Sequence, residues 1–481
     1  MNLILTLRIL GALLLFLGAT LFIPLPFSLY YADGAWASYV YSAFICFAVG
    51  WPLFLTCNSK KDLSVREGFA VVTFGWVVFA VFGALPYLLS GAILSPLDAI
   101  FETMSGFTTT GSTILPEIES MPQSLLFWRS LTHWLGGMGI FVLSLVLLPV
   151  LGVGGMQLFK AEVPGPTADR LKPRIQDTAK MLWGVYVLLT AVETLLLMLG
   201  GMTFFDALCH SFATLATGGF STRNASVAAY NSSYIDGVIT LFMILAGVNF
   251  ALHFQVLRGR VADFFRSEEL RFYLGIIVVA TGIVMFFNWS GSIYQGIGEN
   301  LRYSVFQVAS IITTTGFGTA DFELWPVVTQ YVLVLLMFVG GCAGSTGGGI
   351  KVARILLLFK HAHVQVFRLI HPRAIRLVKL GNRPVDKEVL QAILGFFALF
   401  IGVFVIGSLL VAASGMDLVS ASASVIACLA NIGPGLGSVG PVDNFAHVPA
   451  FGKWVLILCM LMGRLELFTV LVLFFPSFWR K

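Results

Sequence analysis

Apolar runs about 20 residues long, the length needed to cross a bilayer as helix, recur along this chain between short polar stretches. Ten can be placed: Leu3–Pro24, Ala37–Thr56, Gly68–Leu89, Leu125–Leu151, Met181–Gly200, Tyr234–Leu257, Leu270–Asn288, Trp325–His361, Val389–Ala413 and Phe451–Phe475. The first is longer than the apolar core of a signal peptide, about 7–15 residues. No small-x-small cleavage site follows it, so it reads as a retained span.

Between the third and fourth runs the pattern changes. Ser95-Pro96-Leu97-Asp98 reads as a helix start, because Pro is tolerated at the first helical position. The small apolar stretch that follows, to Thr110, holds a helix of about 12–14 residues, too short to cross. It should enter partway and turn back. The same design recurs at Thr203–Thr217, Asn300–Thr315 and Gly415–Ile432. The chain thus divides into a two-span preface (1–57) and four units of span, half-helix, glycine turn and span, at 68–151, 181–257, 270–362 and 389–476. The expected fold class is an all-α polytopic membrane protein, with four pseudo-repeats around one pore.

Each half-helix runs into a related string: TTTGS (Thr108–Ser112), LATGG (Leu215–Gly219), TTTGF (Thr313–Phe317) and ANIGP (Ala430–Pro434). Taking Gly111, Gly218, Gly316 and Gly433 as equivalent gives intervals of 107, 98 and 117 residues. In the second unit Gly218 and Gly219 are adjacent. Gly218 is chosen because it sets Thr217 beside Thr110 and Thr315. A backbone turn at membrane depth is tolerated only inside protein or against water. Four such turns most economically meet around one axis. The half-helices then aim their partly negative ends at a central cavity, which favours a cation. The candidate ion-binding residues are Thr109, Thr110 and Gly111; Ala216, Thr217 and Gly218; Thr314, Thr315 and Gly316; and Asn431, Ile432 and Gly433. Carbonyls and hydroxyls are the available donors. No carboxylate falls within the turns, which disfavours a divalent-ion site.

Two further features break the apolar pattern. The run Gly340-Gly341-Cys342-Ala343-Gly344-Ser345-Thr346-Gly347-Gly348-Gly349 interrupts the eighth span, and each glycine costs a helix about 1 kcal/mol relative to alanine. It reads as an intramembrane loop lying across the pore below the turns and serving as a gate. No matching interruption is legible in the other units. The run lacks the adjacent Gly-Lys-Ser/Thr and the preceding strand of a phosphate-binding loop. Arg464 lies within the last span, where a charge is expensive and marks a functional position. It is expected to bond carbonyls of the 340–349 loop. Pairing with an acid on another span, such as Glu193, is the structural alternative. Asp98 and Glu102 in the first half-helix, and Asp206 and His210 in the second, are explained as well by helix-dipole complementarity or packing as by ion attraction.

Composition fits this picture: 58% of residues are hydrophobic and 11% charged. All six cysteines fall in or beside apolar runs with no CxxC pair, which argues against a disulfide framework or structural metal. Of the 29 Lys and Arg, 24 lie at the termini or after the second, fourth, sixth and eighth spans, with nine between Lys351 and Lys387. Excess Lys/Arg marks the cytoplasmic side. Both termini should therefore be cytoplasmic and the stretches after the glycines outside. Nucleic-acid binding has little support, since the basic segments follow topology. Arg368, Arg373, Arg376 and Lys379 could contact an acidic partner. His361, His363 and His371 have no acids or cysteines nearby and do not make a convincing metal site.

The strings HWLGGMGI (His133–Ile140), EVPGP (Glu162–Pro166), GGCAGSTGGGIK (Gly340–Lys351) and MGRLELF (Met462–Phe468), with the two-span preface and four glycine turns, resemble the Trk/Ktr/HKT superfamily of potassium transporters. The likeness covers essentially the whole chain and is to the membrane subunit of the bacterial Trk uptake system. It implies K+ as transported ion, a homodimer in the bacterial inner membrane, and a cytosolic nucleotide-binding regulatory ring of the TrkA type. No cofactor is expected on this chain itself. In related plant transporters serine at the first filter position goes with sodium preference, so Gly111 favours potassium. A less selective or sodium-coupled monovalent-cation transporter is the alternative, and symport against passive flow stays open. No HExxH, GxSxG or clustered His/Asp set supports an enzyme.

Overall fold

The computed structural model describes residues 3–57, 65–139, 175–373, 376–381 and 383–480. The fourth expected span leaves this set after Gly139, as do Ile140 of the HWLGGMGI string and the whole EVPGP string. Among the described residues the regular elements are helices, apart from one short hairpin pairing Lys379–Leu380 with Arg383–Pro384 and a single bridge between Val339 and Ile350. It is a polytopic all-α membrane protein.

Among the described residues six helices are long and apolar enough to cross a membrane: Leu3–Tyr31, Trp36–Thr56, Arg66–Leu89, Lys180–Leu199, Glu268–Ser290 and Lys387–Ala413. The first two form the preface and pack through small residues. A Cβ on Gly11 would lie 2.8 Å from the Gly50 carbonyl oxygen, and one on Gly50 2.9 Å from that of Gly11. Such close backbone approach is how helices associate where lipid removes the hydrophobic drive.

The other four are the first helices of the four units. Each is followed by a short buried helix: Pro96–Phe107, Phe204–Leu215, Ile297–Ile312 and Leu418–Leu429. At 12 residues, or 16 in the third, they reach about 18–24 Å, too little for a hydrocarbon core of about 30 Å. Three of these helices start on a side-chain cap: Ser95, Thr203 and Asp417 accept backbone N–H groups of the first turn. Gly296 precedes the third without one.

The second helices depart from expectation. Tyr234–Leu257 is not one span: Ser233–Ala246 and Phe250–Leu257 meet at 103°. Phe451–Phe475 breaks likewise, with 115° between Ala450–Arg464 and Phe468–Phe474. Trp325–His361 divides into Val327–Met337 and Val352–Ile370 around the glycine run. Gln123–Trp134 passes into a wider π-type turn at Leu135–Gly139. Interruption is therefore not confined to the third unit. The first unit's turn holds Gly136, Gly137 and Gly139. The breaks of the second and fourth units carry little glycine: Gly247 alone in the second, and Glu466 and Leu467 at φ 56° and 55° in the fourth. Their causes are tertiary, so no glycine run announces them.

Candidate functional site

All four short helices end the same way. The residues Thr109, Thr217, Thr314 and Asn431 adopt left-handed φ of 53°, 55°, 60° and 55°. The next residue sends its N–H back across the last turn: Thr110 to Ser105 O at 2.9 Å, Gly218 to Ala213 O at 2.8 Å, Thr315 to Ser310 O at 2.9 Å, Ile432 to Ala427 O at 2.8 Å. This is a helix stop of the Schellman kind with a non-glycine residue in the left-handed position. The residue after that is a glycine with positive φ: Gly111 (85°), Gly219 (77°), Gly316 (81°) and Gly433 (105°).

The second unit's register is therefore one residue later than expected. Gly219, not Gly218, is equivalent to Gly111, Gly316 and Gly433. Thr217 aligns with Thr109, Thr314 and Asn431 rather than with Thr110 and Thr315. Matching hydroxyls misled the sequence alignment, because the left-handed position tolerates Thr or Asn while the glycine position does not. Ala216 then falls one place too early in the turn.

These turns close a ring. A Cβ on Gly111 would sit 2.1 Å from the Gly218 carbonyl oxygen, one on Gly219 2.0 Å from that of Thr315, one on Gly316 1.8 Å from that of Ile432, and one on Gly433 2.9 Å from that of Thr110. Each unit's glycine thus faces the carbonyl of the next unit's preceding residue, and the fourth returns to the first. The N–H groups of Thr110, Gly218, Thr315 and Ile432 are consumed by the helix ends, which leaves four carbonyls at one level. Gly111, Gly219, Gly316 and Gly433 all line an outer cavity of about 100 Å³, from which Gly218 is absent. Among the described residues no group of His, Cys, Asp or Glu is arranged to hold a metal. Carbonyl oxygens in a ring suit a dehydrated alkali cation.

Behind the ring stands a brace that the sequence reading did not single out. Arg129 pairs with Glu102 at 2.6 Å and donates to Ser221 O at 2.9 Å, while Glu102 accepts from Thr113 and Ile114. One turn on, His133 bonds Gly106 O through Nδ1 at 2.7 Å and accepts the Phe220 N–H through Nε2 at 3.2 Å. Its ring fills the place where a Cβ on Gly218 would go, 2.5 Å away. Two polar residues four apart inside an apolar run were the available signal. The other acids are also partnered: Asp98 with Lys453 at 2.6 Å, and Asp206 with Thr222 Oγ1 at 2.6 Å. His210 is held between Asp206 O and Ser221 Oγ. None of them is free to face an ion.

The run Gly340–Gly349 lies directly under this ring. Gly348 donates its N–H to Thr314 Oγ1 at 2.7 Å, and a Cβ there would strike Ala430 O at 2.3 Å. A Cβ on Gly347 would be 3.0 Å from Thr313 O. The loop is closed at its base by Gly340 N–H to Ile350 O at 2.9 Å, and Ser345 Oγ bonds Cys342 O at 2.7 Å. Gly341 packs against Gly247, and Gly344 O accepts the Phe250 N–H at 3.0 Å, so the loop seats in the break of the second unit. Lys351 Nζ bonds Gly347 O.

Arg464 reaches the same place from the fourth unit. Its Nη1 donates to Thr346 O at 2.9 Å, and its Nη2 to Gly136 O and Gly137 O of the first unit at 2.5 and 2.6 Å. Glu193, the alternative partner, is buried and accepts no hydrogen bond from it. Glu466 is turned by the helix break to pair with Arg354.

A family model described as cation transport protein matches residues 38–481. The Trk system potassium uptake protein TrkH of Salmonella typhimurium is 45% identical over 481 residues, 98% of this chain and 99% of the relative. That of Halomonas elongata is 43% identical and covered end to end. The crystal structure of the potassium transporter TrkH from Vibrio parahaemolyticus superposes with a TM-score of 0.90 at 38% identity, covering 100% of both chains. The chain belongs to the TrkH family of cation transport proteins, a family of membrane transporters rather than enzymes.

Proposed function

We propose that this protein takes up K+ across the bacterial inner membrane, with the ring of turns as its selectivity filter. The observation that carries the reading is the closed cycle of glycine against carbonyl, which sets four oxygens of four units at one level without any carboxylate. Thr109, Thr110 and Gly111 form the first wall, Thr217, Gly218 and Gly219 the second, Thr314, Thr315 and Gly316 the third, and Asn431, Ile432 and Gly433 the fourth. The walls come from units at 68–151, 181–257, 270–362 and 389–476, with both termini cytoplasmic. Rubidium uptake into vesicles containing the purified protein, competed by potassium, tests this. Absence of competed uptake refutes it, and equal competition by sodium favours the less selective monovalent-cation reading.

The loop at 340–349 is the gate in this proposal, and Arg464 its clasp. Support comes from its seat beneath the ring of turns, from its bonds to the second and fourth units, and from the bonds of Arg464 to the first. A homodimer and a TrkA-type nucleotide-binding ring, docking on the cytoplasmic side, complete the reading. Deleting part of the loop should raise flux, and unchanged flux would remove the gate from it.

A further inference from the structure

A second cavity, of about 680 Å³, lies between Val352–Ile370 and the hairpin that follows it, and shares no lining residue with the ring of turns. Its lining includes Lys360, His363, Arg376 and Lys379, with Phe359 and Leu377 as apolar wall. Its depth is fixed by one contact. Lys360 Nζ lies 2.5 Å from Glu268 Oε1, and Glu268 is the first residue of the span Glu268–Ser290. The hairpin is pinned at the same level, where Gly381 donates to Glu268 Oε2 at 2.7 Å and Lys360 to Lys379 O at 2.8 Å. The cavity thus opens at the boundary between hydrocarbon and water, on the basic side.

Its charge is unbalanced. Glu268 offsets Lys360, whereas Arg376 donates to His363 Nε2 at 3.3 Å, and neither it nor Lys379 has a carboxylate partner among the described residues. Phe359 and Leu377, 64% and 56% exposed, continue the cavity outward as an apolar surface. Cations at headgroup depth beside an apolar flank match one ligand chemistry: a phosphate monoanion carrying acyl chains. We propose that this cavity binds the headgroup of an anionic phospholipid, with Arg376 and Lys379 on the phosphate and Phe359 and Leu377 along a chain. An acidic protein partner would satisfy the cations but would leave the apolar wall at membrane depth unused.

Full-length protein in detergent is titrated with phosphatidylglycerol or phosphatidylcholine of the same chain length, and bound lipid is counted by native mass spectrometry. Phosphatidylglycerol is expected to bind more tightly. The double variant Arg376→Gln/Lys379→Gln should weaken it by roughly 30-fold, at about 1 kcal/mol per basic residue, and leave phosphatidylcholine unchanged. Leu377→Ser keeps every charge and should weaken long-chain but not short-chain phosphatidylglycerol. Equal binding of the two lipids, or no loss in the double variant, overturns the proposal. Displacement of the lipid by equimolar inorganic phosphate also overturns it, since that would mark a site for a free anion.

Discussion

Replacing Gly219 by alanine tests the register of the second filter wall. At φ 77° an L-residue costs about 1–2 kcal/mol, enough to reduce the correctly formed turn roughly 5- to 30-fold. The added Cβ would lie 2.0 Å from the Thr315 carbonyl oxygen. Ordinary contacts begin near 3 Å, so that carbonyl must retreat by about 1 Å, and no side chain can yield in its place because the obstacle is backbone. Gly218→Ala meets a different neighbour, the His133 ring at 2.5 Å, on the side away from the pore. That clash is with a side chain, and truncation can relieve it. The expected outcome is that Gly219→Ala lowers discrimination of rubidium against sodium about tenfold, at the middle of that range. Adding His133→Ala should not rescue it, whereas Gly218→Ala should be at least partly rescued. The assay is vesicle uptake of rubidium against increasing sodium, with size-exclusion profiles to confirm assembly. A Gly219→Ala protein that discriminates like the parent, beside a Gly218→Ala protein that does not, refutes the register and restores Gly218 as the filter glycine.

Arg464→Ala removes three bonds to carbonyls of the first and third units, and losing one charge-assisted bond's worth of closure should raise basal rubidium uptake about tenfold. Unaltered uptake and closure would release Arg464 from the gate. Thr314→Val deletes the acceptor of the Gly348 N–H and should raise basal uptake about two- to tenfold with rubidium/sodium discrimination kept; lost discrimination with unchanged uptake would assign Thr314 to the filter alone. Glu102→Gln leaves the buried Arg129 guanidinium without its counter-charge, a loss of about 3–5 kcal/mol that thermal unfolding in detergent should record as a lower Tm; an unchanged Tm would contradict it. Asp33 lies between the first two spans. Burial alone would raise its carboxyl, but bonds from Ser124, Ser28 and Ala35 prevail and hold it below the usual range. A depressed carboxyl stabilises above the unfolded value, about 3.9, and the gain is lost as pH falls through the folded value. Asp33→Asn should therefore lower Tm at pH 7, with the gap to the parent closing below about pH 4; a gap constant with pH contradicts the assignment.

Much of the architecture was legible because lipid leaves the backbone few choices. Six first-class spans, four half-helices and the glycine run stand where hydropathy and Pro/Gly punctuation put them. Local patterns failed where neighbours decide. The Gly218/Gly219 choice turned on which residue sits left-handed, and Thr217 could occupy either place until the ring fixed it. The breaks at Gly247 and at Glu466–Leu467 look like continuous span in sequence, since Leu465, Leu467 and Phe468 are apolar. Tertiary contacts meet both bends: Gly247 O accepts the Cys342 N–H, and Glu466 pairs with Arg354. The spacing of Arg129 and His133 hinted at a brace, but the pairing of Arg129 with Glu102 was not legible, because the two are 27 residues apart on separate helices.

The loop at 340–349 cannot be understood as a device of the third unit alone. Besides the bonds to its own flank at Ile350–Val352, six tie it to residues elsewhere in the chain: Cys342 N–H to Gly247 O, Phe250 N–H to Gly344 O, Ala343 N–H to Glu269, Thr346 Oγ1 to Ala246 O, Gly348 N–H to Thr314 and Arg464 to Thr346 O. At about 0.5–1.5 kcal/mol net each, breaking them all costs roughly 3–9 kcal/mol. A gate that must lose even the lower figure is open in fewer than about one molecule in a hundred. Ion binding at the filter touches only the Thr314 contact and supplies little differential energy to the other five. Opening therefore has to be driven through an element that carries the loop's far end, and Val352–Ile370 does so directly, running from Lys351 to the basic segment. A partner that binds this helix more tightly in one position than in the other by a few kcal/mol is sufficient. Uptake by the chain alone should accordingly be low and should rise by about two orders of magnitude when the regulatory ring is added with its activating nucleotide. Full uptake without the ring would mean that those six bonds do not hold the pore shut.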